Sequence, residues 1–376
     1  MRTSFRVVAL LSCLSPLAFT QQNPPASTAA PSQAPPSSGS GAVITQRPAY
    51  NAPVTSSGKG SIQLNVTVTD KSGRVVSGLD QSAFTLLDNN QPAKILSFHA
   101  YNGAVQPPPV PVQVIILFDL VDTPFDNVSY ARQQVDKFLR QNGGHLAQPV
   151  SIYWQTDQGV DVQAEPVLDG NGLADHLEAT SGRLRMINRN AGAWGAIERY
   201  QFSVKMLTAI AGNEADKPGR KLLIWAGPGW PQLDDPGLNY SDKGQQSLFH
   251  QIVDLSTLLR KAHIDLYSVS QGVSGIGTFI YQSYLKGVKK PGQTSPPDIT
   301  LKVLAVQSGG LVLPPSNDLA GAIDTCVQDA GAYYTISFDP PPADGPNEYH
   351  ELKVRIATPG LTARTNTGYY NQPLAK

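Results

Sequence analysis

The chain has 376 residues, 29 of them basic and 29 acidic, so its formal net charge is zero; 40% are hydrophobic. This length allows two to three domains and a sizeable core. The balanced charge excludes any global electrostatic case for nucleic acid or an anionic membrane as partner.

Arg2 and Arg6 precede the apolar run Val7 to Leu17, and Ala18-Phe19-Thr20 offers a small-residue cleavage context. Residues 1–20 therefore read as a secretory signal peptide, and the mature protein is expected in the periplasm or outside the cell. The run is too short to span a bilayer, and no other stretch is long and apolar enough to do so, so no membrane span is expected. Cys13 lies inside this signal, where the preceding apolar run is too short for a lipid-attachment site. Cys326 is then the only mature cysteine and reads as a small buried hydrophobe on a helix. Residues 21–58 are rich in Pro, Ser, Ala and Gln, with Arg47 the sole charge, and read as a disordered spacer.

Residues 59–101 read as a β-segment. Ile62, Leu64, Val66 and Val68 alternate with polar residues, as in a half-buried strand. Phe84 to Leu87 and Ile95 to Phe98 are predicted strands, with Asp88-Asn89-Asn90 as the hairpin turn between them. Residues 102–111, with Pro107, Pro108, Pro109 and Pro111, form a stiff linker.

Over residues 112–331 strands and helices alternate. Predicted strands are Val112–Phe118, Val150–Trp154, Val160–Leu168, Lys221–Trp225, Ile264–Val269 and Leu311–Leu313. Predicted helices are Asn127–Arg140, Gly192–Ala211, Ser247–Lys261, Ile299–Gln307 and Leu319–Ala330. The continuous apolar run at Val112–Phe118 suits a strand covered on both faces. The expected class is α/β: a Rossmann-like, doubly wound, mostly parallel sheet. Residues 332–370 turn β-like again, with candidate strands Tyr333–Phe338, Leu352–Ile356 and Thr362–Thr365. Each terminal β-segment is too small to bury a core alone, so the two are expected to pair into one immunoglobulin-like β-sandwich, with the α/β domain inserted between them.

Three groups of motifs carry a resemblance. The first is Val66-Thr-Val-Thr-Asp-Lys-Ser-Gly-Arg-Val-Val-Ser-Gly-Leu79 with Phe84-Thr-Leu-Leu-Asp88 and Lys94-Ile-Leu-Ser-Phe98. The second is Val114-Ile-Ile-Leu-Phe-Asp119 with Gly219-Arg-Lys-Leu-Leu-Ile-Trp225. The third is Tyr333 to Phe338, Val354-Arg-Ile-Ala-Thr-Pro-Gly-Leu361 and Thr367-Gly-Tyr-Tyr370. In this order they resemble the von Willebrand factor type A-related (VWFA) proteins common in Acidobacteria, over about residues 60 to 370. The resemblance implies a vWA-like fold and export, and no single biochemical role.

It also implies a metal-ion-dependent adhesion site (MIDAS): Asp-x-Ser-x-Ser after the first strand, a later Thr, and an Asp after the fourth strand, around Mg²⁺ or Ca²⁺. Asp119 and Thr123 match two of these positions, and Asp122 is a compensating acid, as is Asp126. Val121 stands where the first Ser belongs, and Ala226-Gly227-Pro228 holds no carboxylate. The site is thus expected to be degenerate, with no bound cofactor and Asp119 bonding backbone amides instead. Phe125, Trp194, Trp230 and Tyr240 form a candidate aromatic edge for a protein or peptide partner. Trp225 reads as core.

Catalytic signatures are weak. The six histidines have no metal-protease spacing, and no Gly-x-Ser-x-Gly elbow occurs. Gly272-Val-Ser-Gly-Ile-Gly277 lacks the Lys of a phosphate loop and follows a late strand. The sequence therefore points to a binding or adhesion module rather than an enzyme, with an envelope scaffold as the second reading and a hydrolase as the third.

Overall fold

The computed structural model describes residues 60–103, 105–163, 165–180, 192–231 and 241–373. The expected signal peptide, spacer and Tyr240 lie outside them, as does the side chain of Trp194.

In chain order the strands and helices are β1 (Ile62–Thr69), β2 (Phe84–Asp88), β3 (Gln91–Ala93), β4 (Ser97–Asn102), β5 (Gln113–Asp119), α1 (Phe125–Leu139), β6 (His145–Thr156), β7 (Gly159–Val162), β8 (Val167–Asp169), α2 (Gly170–Thr180) and α3 (Gly192–Ala215). There follow β9 (Lys221–Ala226), α4 (Asp242–Lys261), β10 (Ile264–Val269), α5 (Leu301–Gln307), α6 (Leu319–Val327), β11 (Ala332–Phe338), β12 (Glu348–Ile356), β13 (Thr362–Arg364) and β14 (Gly368–Asn371).

The central sheet has the order β10-β9-β5-β6-β7. β10, β9, β5 and β6 run parallel, and β7 and β8 pair antiparallel to β6. Along β5 the side chains alternate between two cores. Val114, Ile116 and Phe118 pack with α1, α2 and α6, whereas Ile115 and Leu117 pack with α3, α4 and α5. Three helices on each face explain why the strand is apolar throughout rather than at every second position. The predicted single strand over Val160–Leu168 is instead β7 and β8. Pro166 lies between them and has no N–H for a ladder. The pattern also missed α2, whose start is held by the Asp169 carboxylate accepting the Gly172 N–H at 3.1 Å.

Strands from the two ends of the described chain lie in shared sheets. β1, β11, β4 and β13 form one antiparallel sheet in the order β13-β1-β11-β4, and β14-β12-β2-β3 form another. Ile62, Leu64, Val66 and Val68 of β1 share a core with Phe84, Leu86, Ile336, Phe338, Leu352 and Tyr369. One pairing differs from expectation. Asn89 and Asn90, with φ of 48° and 65°, do make the tight turn after β2, but it leads into β3. Residues 97–102 cross to the other sheet and pair with β11.

A buried charge network ties the two parts together. Arg220, just before β9, donates from Nε to Asp265 Oδ2 at 2.7 Å, from Nη1 to Asp329 O at 2.7 Å and from Nη2 to Thr67 Oγ1 at 2.8 Å. Its guanidinium lies 4.7 Å from the centre of the Tyr333 ring. Arg364 of β13 pairs with both oxygens of Asp329, at 2.8 and 2.7 Å.

Candidate functional site

From β5 the chain crosses to β6 by way of α1 on one face of the sheet; from β9 it crosses to β10 by way of α4 on the other. β5 and β9 are neighbours, so the connections diverge between their carboxyl ends. This is the topological switch point, where open α/β sheets leave a crevice for ligands.

Asp119 ends β5 and is buried. Its Oδ1 accepts the backbone N–H groups of Val121 at 3.0 Å and Asp122 at 2.8 Å, which folds the following loop around the carboxylate. Its Oδ2 accepts the indole N–H of Trp225 at 3.1 Å. Trp225 is fully buried, as a residue at the end of a core strand should be. Thr123 is 4% exposed, and its hydroxyl has no hydrogen-bond partner.

The next acid is held differently. Arg199 of α3 donates from Nε to Asp122 Oδ1 at 2.9 Å, and Ser203, one turn later, donates from its hydroxyl to Oδ2 at 3.2 Å. Gln155, opposite Asp119 in the β5–β6 register, donates from Nε2 to Ser203 Oγ at 2.7 Å; its Oε1 is buried without a partner. Burial pushes the Asp122 carboxyl up to about 7, and the nearby Asp119 charge adds to the rise, against the pull of Arg199 and Ser203. Asp126 lies exposed in the first turn of α1, where it complements the helix dipole.

The fourth-strand side of the crevice is closed by backbone. A Cβ placed on Gly227 would lie 2.7 Å from Asp119 Cβ and 2.7 Å from Thr123 Oγ1. No liganding side chain fits at that position while this packing holds. Among the described residues there is no group of three or more His, Cys, Asp or Glu that could hold a metal ion. The metal-binding set that the resemblance implied for Asp119, Asp122 and Thr123 therefore does not fit. Three N–H groups occupy the first carboxylate, a guanidinium occupies the second, and Gly227 leaves no room for a third.

The aromatic edge needs correction. Trp230 is only 4% exposed; its indole N–H donates to Ile299 O at 3.1 Å, and its ring meets Trp225 edge-on at 5.4 Å. The cause is the turn before it. Gly229 has φ of 75° and packs so tightly on Leu301 that a Cβ would lie 2.7 Å from its side chain, which directs the chain inward. Phe125 is 62% exposed at the start of α1. The sequence reading missed Val273 (84% exposed), Phe279 (50%) and Ile280 (43%), in the segment after β10. It also missed Arg199, Ser203 and Gln155. A signal existed for two of them: Arg199 and Ser203 are polar residues four apart, on a helix whose neighbouring positions Tyr200, Val204 and Leu207 are core.

Fold and site together define a mixed α/β protein: a parallel sheet with helices on both faces, set between strands that form two antiparallel sheets. No family model matches the chain, and no curated protein matches it. Solved structures similar to it include the human COPII-coat protein Sec24c, at 11% identity, covering 70% of this chain and 44% of that one, with a TM-score of 0.32. Another is the manganese-loaded TRAP protein of Plasmodium vivax, at 8% identity, covering 72% of this chain and 97% of that one, also with a TM-score of 0.32. The chain thus spans less than half the length of the Sec24c chain. Likeness at this level carries no functional argument, so function is argued from the site.

Proposed function

We propose that the protein is an exported, non-catalytic binding module of the von Willebrand type A kind, with a degenerate metal-ion-dependent adhesion site. Its strands from both ends form an immunoglobulin-like sandwich, and its partner is a protein or peptide. The observation that carries this reading is the exposure of Phe125, Val273, Phe279 and Ile280 on segments leaving the carboxyl ends of β5 and β10. Large exposed apolar side chains are what a partner surface buries. Export rests on residues 1–20 alone. No helix among the described residues is long and apolar enough to cross a membrane.

Catalysis has no place in this reading. Cys326 is buried, and burial raises its thiol well above the usual range, so it remains neutral and unreactive. The test is a pull-down from envelope extract with the wild type and with a Phe125→Asp/Phe279→Asp/Ile280→Asp variant. A protein captured stoichiometrically by the first and lost with the second supports the proposal. Equal capture by both removes the edge from consideration. The scaffold reading draws on the buried Arg220 network, which welds the sheets into one unit. A complex that co-purifies intact and does not exchange with added free protein favours it over reversible binding.

A further inference from the structure

At the switch point both carboxylates face N–H donors of the protein itself. We propose that Arg199 is a built-in cation that closes this site to divalent metals, with Trp225 and Gly227 completing the closure.

Three observations converge on it. First, charge: Asp119 is buried, the Asp122 side chain is nearly so, and the guanidinium of Arg199 lies 2.9 Å from Asp122 Oδ1. Buried carboxylates demand a counter-charge, and an arginine of α3 supplies one that cannot dissociate. Second, direction: the oxygens of Asp119 already accept N–H groups from Val121, Asp122 and Trp225. A metal would have to displace these donors, because a donor proton and a cation compete for the same lone pair. Third, space: the Gly227 backbone abuts Asp119 and Thr123.

The oxygens left over show what the site would do without its arginine. The Thr123 hydroxyl and Gln155 Oε1 are both buried with no hydrogen-bond partner. Together with the two carboxylates they form a hard-oxygen set of the type Mn²⁺, Mg²⁺ and Ca²⁺ take. Removing the guanidinium takes the donor off Asp122 Oδ1 and leaves that carboxyl beside two unused oxygens. The inference is independent of any partner: the capture experiment can fail while this one succeeds, and the reverse.

The test is Mn²⁺ titration of the full chain by calorimetry, with free Mn²⁺ followed by electron paramagnetic resonance. Wild-type protein and Arg199→Lys, which retains a cation, are expected to show no saturable binding. Arg199→Ala is expected to bind saturably, at least roughly tenfold more tightly than the upper limit set on the other two, the size of effect that neighbouring groups exert on metal sites. Adding Asp119→Ala should abolish that gain. Equal behaviour of Arg199→Ala and wild type overturns the proposal. So does saturable micromolar binding by the wild type that is lost in Asp119→Ala, and this arm stands even where the alanine variant does not fold. Trp225→Phe gives a second opening of the same site, because it removes the N–H on Asp119 Oδ2 while keeping an aromatic core.

Discussion

Replacing Arg220 with Met tests whether the α/β part and the terminal strands are held as one unit by charge. The side chain is buried and makes hydrogen bonds to Asp265 of β10, to Asp329 O and to Thr67 of β1. Methionine fills much of the volume but satisfies none of these acceptors. Asp265, buried on the strand beside β9, then loses the guanidinium bonded to its carboxylate. Breaking a buried pair from one side costs about 3–5 kcal/mol. With an m-value of about 3 kcal/mol per molar urea, the midpoint should fall by about 1–2 M. The assay is equilibrium urea unfolding followed by tryptophan fluorescence. The double variant Arg220→Met/Asp265→Leu removes both charges and should recover more than half of the loss, because replacing a whole buried pair by apolar groups is close to neutral. A loss below about 1 kcal/mol in the single variant, or additive losses in the double, would refute the reasoning.

Three further outcomes follow from particular residues. His263 is held down at about pH 4 by burial and by Lys221 and Arg260, so the unfolded state takes up the proton first. Its contribution, about 3 kcal/mol, is fully present above pH 6.5 and is lost as pH falls toward 4. Asp122, raised to about 7, gives the opposite slope in the same window. The difference in stability between wild type and His263→Asn across pH 4 to 7 therefore isolates the histidine, and a flat difference would count against it; Asn suits the left-handed φ of 53° there. Gly227→Ala should destabilise by about 1–3 kcal/mol through overpacking against Asp119 and Thr123, read as a lowered Tm. Cys326 should react with a thiol reagent only at the rate of unfolding, and rapid labelling of the native protein would contradict its burial.

Where packing follows periodicity the sequence was readable. β5 is apolar from Val114 to Phe118 because helices cover both faces, and α1 buries Ala131, Val135, Phe138 and Leu139 as its stripe predicts. The pairing of the two terminal β-segments followed from size alone. Partner choice within them did not. Nothing in Ile95–Phe98 says that this strand leaves β2 for β11, because strand alternation sets a face but not a neighbour. At the site, Asp119 was legible because it ends a recognisable strand. Arg199 was not, since its role depends on α3 passing over the loop after β5, 77 residues from Asp122 in sequence. Trp230 misled for a related reason: a tryptophan after a Gly-Pro-Gly turn reads as exposed until Leu301 is seen to pull the turn inward.

At the switch point the buried carboxylates are met by groups of the fold itself. A divalent ion would bring two positive charges to Asp119 and Asp122. Here one is the guanidinium of Arg199. The second is a proton, because burial and Asp119 lift Asp122 to about 7, so that below this pH the pair carries one negative charge against one positive. Trp225 supplies a directional bond to Asp119 Oδ2, and its ring belongs to the core covered by α3, α4 and α5, on the face that carries Arg199. Electrostatic neutrality and donor direction are thus met by groups fixed in the fold.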